Sequence, residues 1–186
     1  NASQMIRLQL NGETVEALPG ETLLQVAQRE GIQVPHLCYK AGLEAAGNCR
    51  ACVVEVEGER TLAASCCRQA AAGMVVHTDS TKAIAAQKMV LELLLADMPN
   101  HANPKALKTD NELTHWCQQM DIEGSRFDAR AAVPADLSHP AIAVNMDHCI
   151  QCTRCVRACR EVQVNDVIGL AFRGEHATVV FDQGDA

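Results

Sequence analysis

The sequence predicts an α+β protein in which short strands and helices alternate around two groups of cysteines. Residues 5–17 read as a β-hairpin, because Ile6, Leu8 and Leu10 alternate with polar residues before an Asn-Gly turn. Ten of the 186 residues are cysteine, and most of them fall at spacings typical of metal ligands. The first group is Cys38, Cys49, Cys52 and Cys66, and the second is Cys149, Cys152, Cys155 and Cys159.

The elements after the hairpin surround the first group of cysteines. An apolar stripe at helical spacing covers residues 22–30 and ends at Gly31. Beyond the cysteine loop, the sequence indicates two strands joined at residues 57–59, and residues 74–76 read as a closing strand. Residues 1–79 therefore predict one domain with the order hairpin, helix, cysteine loop and strand pair.

The first group has the spacing of a [2Fe–2S] site. One cysteine stands alone, a Cys-Arg-Ala-Cys pair follows, and a distant fourth closes the set, with gaps of x10, x2 and x13. Such a cluster needs four thiolates that converge from different backbone segments. Small residues around the pair let backbone N–H groups approach the cluster sulfurs. We predict these four cysteines as its ligands, and Cys67, which follows the fourth, as a small buried neighbour.

Two other uses of these cysteines fit the sequence less well. A structural zinc site favours two Cys-x2-Cys pairs, and the first group has one. Disulfides form in oxidising compartments, and the chain opens with NASQMIRLQL, which has no apolar signal segment. The sequence therefore predicts a cytoplasmic protein whose cysteines bind iron.

The second group, CIQCTRCVRAC, has the Cys-x2-Cys-x2-Cys-x3-Cys spacing that is highly specific for a [4Fe–4S] cluster. Three of its thiolates can cap three corners of one cubane. In two-cluster ferredoxins the fourth, here Cys159, ligates the other cluster, but no second run follows. A sequence that stops before the second half of the module is the favoured explanation. The alternatives are ligands from a partner, or Cys159 on the local cluster.

Three arginines lie within this run of cysteines or directly after it. Arg154, Arg157 and Arg160 follow the cysteines at helical spacing. They are either a solvated helix face, or positive charges that ease reduction of an anionic cluster or dock an acidic partner. The residues alone leave both interpretations open.

Two helices and a linker separate the cysteine groups. A helix is predicted over residues 80–97 with Ser80 as its N-cap. A second is predicted over residues 111–120, with Trp116 and Cys117 in the core. Residues 128–140 read as a linker rich in Ala and Pro. The apolar face expected for the first helix consists of Ile84, Val90, Leu91, Leu94 and Leu95.

The composition narrows the possible partners. A formal net charge of −7 argues against nucleic acid, because phosphate binding requires a basic surface. No apolar run reaches the length of a membrane-spanning helix. Aromatic residues make up 3% of the chain, and the free energy of cluster binding can compensate for a core with few large rings.

The first cysteine group and its surroundings resemble the N-terminal [2Fe–2S] domain of three related enzyme groups. These are the large iron–sulfur subunit of respiratory complex I, the diaphorase subunit of NAD-reducing hydrogenases, and the NAD-dependent formate dehydrogenases. The resemblance implies a β-grasp ferredoxin-like domain over 1–79, a helical segment over 80–130 and a partial bacterial-type [4Fe–4S] module over 131–186. The phrase CVRACREVQ, followed by an Ile-Gly strand and Arg-Gly, is most similar to the formate dehydrogenase α-subunit.

One segment departs from these relatives. They usually carry His-x3-Cys-x2-Cys-x5-Cys followed by Glu-Leu, which ligates a further [4Fe–4S] cluster, whereas this sequence reads HANPKALKTDNEL. His101 is kept, but Lys105 and Lys108 take the first two cysteine positions and an asparagine takes the third. A protonated lysine has no lone pair for iron, so the sequence predicts that this cluster is absent. His101 is then a surface or capping residue, and a new metal site of His101, His115 and Cys117 is the weaker alternative.

The resemblance implies an electron relay. Electrons from a molybdenum- or tungsten-pterin centre would pass through the two clusters towards a flavin subunit that reduces NAD. The expected partners are therefore a flavin/NAD-binding diaphorase subunit and a metal-pterin catalytic domain or subunit. The sequence has no G-x-G-x-x-G fingerprint and no predicted catalytic residue. The alternatives are the small diaphorase subunit of a soluble NAD-reducing [NiFe] hydrogenase and a free ferredoxin-like electron carrier.

Overall fold

The computed structural model describes residues 5–99, 111–132, 134–139 and 142–181. The chain divides into two compact units, each of which is discontinuous in sequence. The first unit is formed from Asn1–Leu37 and Ala45–Val90, and the second from Cys38–Glu44 and Leu91–Ala186. The predictions for His101, Lys105 and Lys108 concern residues outside the described ranges.

The first unit begins with the predicted hairpin, of β1 (Ile6–Leu10) and β2 (Glu13–Ala17). Its turn residues, Asn11 and Gly12, have φ of 51° and 86°. Two positive φ values match the turn twist that antiparallel strands require, which is why an Asn-Gly pair is favoured there. Leu8, at 2% exposure, lies on the buried face.

The first helix, α1 (Leu23–Arg29), begins at a reciprocal cap. The Thr22 side chain accepts a hydrogen bond from the amide of Gln25, and the Gln25 side chain accepts one from the amide of Thr22. Two N–H groups that have no partner within the helix are satisfied in this way. The helix ends before Gly31, as predicted, and Gly31 has φ of 75°.

A five-stranded mixed sheet completes the first unit. Its further strands are β3 (Val53–Val56), β4 (Ala63–Ala64) and β5 (Val75–His77), in the order β2-β1-β5-β3-β4. The first strand pairs in parallel with β5, and the other pairs are antiparallel. This order confirms the β-grasp arrangement that the resemblance implied.

The long helix α2 (Thr81–Ala96) is capped as predicted, because the Ser80 hydroxyl accepts a hydrogen bond from the amide of Ala83 at 3.1 Å. Its buried line differs from the expected apolar face, since Ile84, Val90 and Leu94 are half-buried. A buried glutamine replaces an apolar residue on that line, because its amide has partners among nearby backbone carbonyls. The buried line is Ala83, Gln87, Leu91 and Leu95.

The second unit contains α3 (Glu112–Gln119), whose N-cap Asn111 accepts a hydrogen bond from the amide of Thr114 at 2.8 Å. The predicted linker over residues 128–140 is only partly a linker. Asp136–His139 forms strand β6, since its backbone pairs with β7 (Ile142–Val144) in an irregular antiparallel register. Alanine and proline content alone did not indicate this pairing.

The second cysteine group is followed by helical turns and a hairpin. A 3₁₀ turn (Met146–His148) precedes the group, and α4 (Arg154–Arg157) continues into a π-helical turn (Ala158–Gln163). The chain then forms a hairpin of β8 (Ile168–Ala171) and β9 (Thr178–Phe181). Over the described residues, no helix has both the length and the apolar character needed to cross a bilayer.

Candidate iron–sulfur sites

The second cysteine group lies on a tight loop that leads into α4. Gln151 and Thr153, on either side of Cys152, have φ of 53° and 59°. Residues other than glycine rarely have positive φ, and such positions cluster where a ligand is held. The chain therefore turns sharply on both sides of Cys152, so that one loop presents three cysteines.

The sulfurs of this loop interact with one another and with the backbone. The amide of Gln151 donates a hydrogen bond to Cys149 Sγ at 3.4 Å. Desolvation raises the pKa of the Cys155 thiol, although that residue retains exposed surface, and the negative charges of Cys152 and Cys149 raise it further. Iron cations offset such repulsion between neighbouring thiolates and so lower thiol pKa values. The chemistry of this donor set fits an iron–sulfur cluster.

This arrangement differs from a site for a single metal ion. Within the described ranges, no three His, Cys, Asp or Glu side chains are arranged to hold one ion. In a [4Fe–4S] cluster each thiolate binds its own iron atom. In such a cluster the ligand sulfurs lie farther apart than they do around a lone zinc or iron ion.

Cys159 has a separate environment on the π-helical turn. Its residue exposure is 5%, and its thiol donates a hydrogen bond to Asn165 Oδ1 at 2.7 Å. The chain reverses direction at Val164, which has φ of 56°. An amide side chain can turn its N–H₂ group towards a thiolate in place of its oxygen. Asn165 is therefore suited to both the protonated and the metal-bound form of Cys159.

In the first group, Cys52 and Cys66 are brought to the same end of a strand pair. Val53 in β3 lies opposite Ala64 in β4, so the residues just outside these strands are neighbours. The Ser65 amide and hydroxyl both donate to the Cys52 carbonyl, at 3.1 and 2.7 Å. Both cysteines are buried, with exposures of 1% and 0%. In the sequence, the only sign of this role for Ser65 is its place directly before a predicted ligand.

The backbone close to the Cys49–Cys52 pair is tightly constrained. Arg50 has φ of 59°, and Gly47 has φ of 63°. A Cβ added at Gly47 would lie 2.8 Å from Cys67 Sγ, closer than real side chains approach. Cys49 itself is half-buried. Both the positive φ and this short distance favour glycine at position 47.

The prediction that Cys67 is buried was wrong. Cys67 is exposed, although its Sγ lies 3.6 Å from Cys66 Sγ and 3.7 Å from the Ala45 carbonyl oxygen. The chain turns directly after β4, and within this turn Ser65 and Cys66 are buried while Cys67 faces solvent.

Cys38, the predicted first ligand, belongs to the segment Cys38–Glu44 of the second unit. Its residue is fully buried. Its carbonyl oxygen accepts a hydrogen bond from Arg157 Nη2. The ligand role of Cys38 stays a prediction.

Cys117 is a core residue, as predicted. Burial raises the pKa of its thiol to about 11, and the nearby Glu92 carboxylate contributes to the increase. A thiol with so high a pKa is a poor source of the thiolate that metals bind. His115 is exposed and packs edge-on against Trp116, with ring centroids 5.3 Å apart. These environments give no support to a metal site built from His115 and Cys117.

Comparisons with known proteins match both cysteine groups. The family profile of the 2Fe-2S iron–sulfur cluster binding domain matches residues 3–81. That of the NADH-quinone oxidoreductase subunit 3 ferredoxin-like domain matches residues 139–185. Together with the cysteine spacings, these matches confirm the two predicted cofactors, a [2Fe–2S] cluster and a [4Fe–4S] cluster.

Curated relatives are similar over almost all of the chain. The NADH-quinone oxidoreductase subunit designated G, from Rickettsia typhi, is 35% identical over 176 residues, which are 94% of this chain and 26% of the relative. The protein of the same name from Rickettsia prowazekii is 34% identical over the same shares. The chain thus spans about a quarter of the length of these relatives.

A solved structure is similar over most of both chains. A chain in the crystal structure of NAD⁺-reducing [NiFe]-hydrogenase in the H₂-reduced state has a TM-score of 0.84 and 30% identity. The match covers 95% of this chain and 74% of that chain. The chain therefore belongs to the family of iron–sulfur electron-transfer subunits that includes these NADH-quinone oxidoreductase proteins and a chain of NAD⁺-reducing [NiFe]-hydrogenase.

Proposed function

We propose that this chain relays single electrons within an NAD-linked, molybdenum- or tungsten-dependent formate dehydrogenase. The observation that carries the proposal is the presence of two cluster-type cysteine groups in one chain that has no predicted substrate site. The finer assignment is supported by the phrase CVRACREVQ with its following Ile-Gly strand. The partners in this proposal are a metal-pterin catalytic domain or subunit and a flavin/NAD-binding diaphorase subunit, in the cytoplasm.

The residues of the chain bind the clusters and control their surroundings. Each cluster, when bound, accepts or gives one electron, which is the chemistry that cysteine side chains alone do not supply. Buried ligands and N–H···S hydrogen bonds are the means by which the protein adjusts a reduction potential. In this proposal the ligands are Cys38, Cys49, Cys52 and Cys66 for [2Fe–2S], and Cys149, Cys152, Cys155 and Cys159 for [4Fe–4S], with Cys159 on this or a neighbouring cluster.

A second candidate is the small diaphorase subunit of a soluble NAD-reducing [NiFe] hydrogenase. It is favoured by the structural similarity to a chain of the NAD⁺-reducing hydrogenase, of which this chain covers 74%. Both candidates give the chain the same task, because in each an iron–sulfur relay joins a metal centre to a flavin/NAD module. The terminal metal centre is what distinguishes them.

The two candidates can be separated by purifying the native complex and measuring its metals and activities. Molybdenum or tungsten together with formate-dependent NAD⁺ reduction is the expected result. Nickel together with hydrogen-dependent NAD⁺ reduction would replace the formate dehydrogenase assignment with the hydrogenase. A complex that has neither metal set and reduces quinone with NADH would contradict both candidates.

The relay itself can be tested in the same complex with Cys149→Ser. We expect this variant to lose the [4Fe–4S] signal in electron paramagnetic resonance (EPR) and the formate-dependent reduction of NAD⁺. Reduction of an artificial dye at the metal-pterin centre should continue, because it does not use the relay. Cys67→Ser is the control and should retain both activities. Unchanged NAD⁺ reduction in a Cys149→Ser complex that lacks the [4Fe–4S] signal would refute the relay role.

A further inference from the structure

Arg157 lies inside the second cysteine group, and its side chain is directed into the protein. The residue is 9% exposed. Its Nη1 donates to the Glu44 carbonyl oxygen at 2.6 Å, and its Nη2 donates to the carbonyl oxygen of Cys38 and, at 3.3 Å, to that of Cys152. All these contacts lie within the second unit. One guanidinium therefore joins the backbone of a predicted [2Fe–2S] ligand to the backbone of a predicted [4Fe–4S] ligand.

The hydrogen-bond partners of this guanidinium stabilise its charge but do not neutralise it. The three carbonyl oxygens, and the Thr153 hydroxyl that accepts from Arg157 Nε at 3.3 Å, are neutral. A buried charge requires such hydrogen bonds to offset the loss of water. Because the partners are neutral, a full positive charge remains beside both predicted ligands. The planar fork of arginine suits several acceptors at once, which a lysine ammonium does not reproduce.

Two further residues of the same helical segment bind the segment Cys38–Glu44. Arg154 Nη2 donates to the Tyr39 carbonyl oxygen at 2.6 Å, and its Nη1 pairs with the Glu112 carboxylate. The Glu161 carboxylate accepts a hydrogen bond from the Glu44 amide at 2.8 Å. The segment that carries Cys38 is thus held along its length by the helical residues 154–161, which follow the cysteine loop.

Arg160, the third arginine of this segment, faces solvent, whereas Arg157 is buried. Arg160 pairs with Asp166 at 3.0 Å, and the side chains of both are about 60% exposed. Of the two interpretations that the sequence left open for the three arginines, the solvated face applies to Arg160. Arg154 and Arg157 are instead turned inwards, towards backbone carbonyls.

We propose that Arg157 is a positioning residue shared by the two cluster sites. It fixes the backbone of one ligand of each cluster, and its positive charge stabilises the reduced, more negative form of both. The inference rests on the proposed function only for the assignment of Cys38 and Cys152 as ligands. A change at this one side chain is therefore expected to shift the potentials of both clusters in the same direction.

The test is an EPR-monitored redox titration of both clusters in the native complex that carries Arg157→Gln. We expect both midpoint potentials to fall, with the equilibrium constant for reduction of each cluster lowered about tenfold, which is about 59 mV for one electron. Arg160→Gln is the matched control, since it removes the same charge from the same helical segment without a contact to Cys38–Glu44. A shift no larger than that of the control, or a shift of the [4Fe–4S] potential alone, would overturn the proposal.

A second readout covers the case in which Arg157→Gln fails to assemble its clusters. Lys40 lies exposed in the segment that Arg157 holds, so trypsin cleavage after Lys40 reports whether this segment is fixed. Arg157→Lys retains the charge and loses the fork, so we expect faster cleavage at Lys40 with smaller shifts in potential. Wild-type cleavage and wild-type potentials in Arg157→Lys would show that the fork has no role. Neither readout requires formate or NAD, so failure of this inference is distinguishable from failure of the proposed function.

Discussion

The close approach of Gly47 to a sulfur makes Gly47→Ala the most direct test of the geometry around the first cysteine group. Two effects are combined at this position. The φ of 63° disfavours any side chain, and the added Cβ would lie 2.8 Å from Cys67 Sγ. The left-handed conformation costs a residue other than glycine about 1–2 kcal/mol. Overpacking adds about 1–3 kcal/mol when neighbours are forced to move.

Two companion variants separate these effects. Gly58 has φ of 82° and nothing within 4 Å of the position where its Cβ would be. Gly58→Ala therefore measures the backbone term alone, about 1–2 kcal/mol of unfolding free energy. Gly47→Ala should cost more, about 2–3 kcal/mol in all, because the Cys67 sulfur is the end of an exposed side chain and can partly move away. The double variant Gly47→Ala/Cys67→Ala removes the sulfur and should return to the cost of the Gly58 variant.

The assay is urea unfolding followed by the visible absorbance of the [2Fe–2S] cluster, with iron content as a check on loading. The midpoints should rank wild type, then Gly58→Ala and the double variant together, then Gly47→Ala. Cys67→Ala by itself should change little, because its side chain is exposed. Equal costs for the two single glycine variants, or no recovery in the double variant, would refute the steric argument.

Two further predictions concern buried groups of the helical segments. The buried Gln87 amide donates a hydrogen bond to the Val53 carbonyl oxygen at 2.8 Å. Gln87→Met leaves that carbonyl without this donor and should lower the free energy of unfolding by about 1–3 kcal/mol. Gln118→Met, at an exposed position, is the control and should be near neutral. A midpoint for Gln87→Met equal to that of Gln118→Met in urea would contradict this. The pKa of about 11 at Cys117 predicts that iodoacetamide at pH 8 alkylates Cys67 first, as mass spectrometry of tryptic peptides can measure. Cys117 loses its proton near pH 9 in the unfolded chain but only near pH 11 in the folded protein. The free energy of unfolding should therefore fall as pH rises from 9 to 11, and Cys117→Ala should reduce this fall. Equal labelling of the two thiols in the loaded protein would show that Cys117 is not buried as described.

The local features of this protein were open to prediction from its sequence. The cysteine spacings indicated both cofactors, because ligands for one cluster must lie a short loop apart or converge from a few defined segments. Alternating apolar residues and an Asn-Gly turn predicted the first hairpin, since side-chain period and turn chemistry are local properties. The end of α1 before Gly31 and the Ser80 cap of α2 were predicted for the same reason.

The features decided by tertiary structure involve partners that are distant in sequence. Gln87 is buried because the carbonyls of β3 and of Thr78 are within its reach, and no helical periodicity indicates that. The strand at Asp136–His139 exists because β7 pairs with it. Arg157 and Cys38 are 119 residues apart, so the spacing within either cysteine group does not predict their hydrogen bond. The sequence by itself determined which clusters the chain binds, because ligand chemistry depends on residue type and spacing. Only the folded chain decided which charge lies beside their ligands, because that depends on which segments pack together.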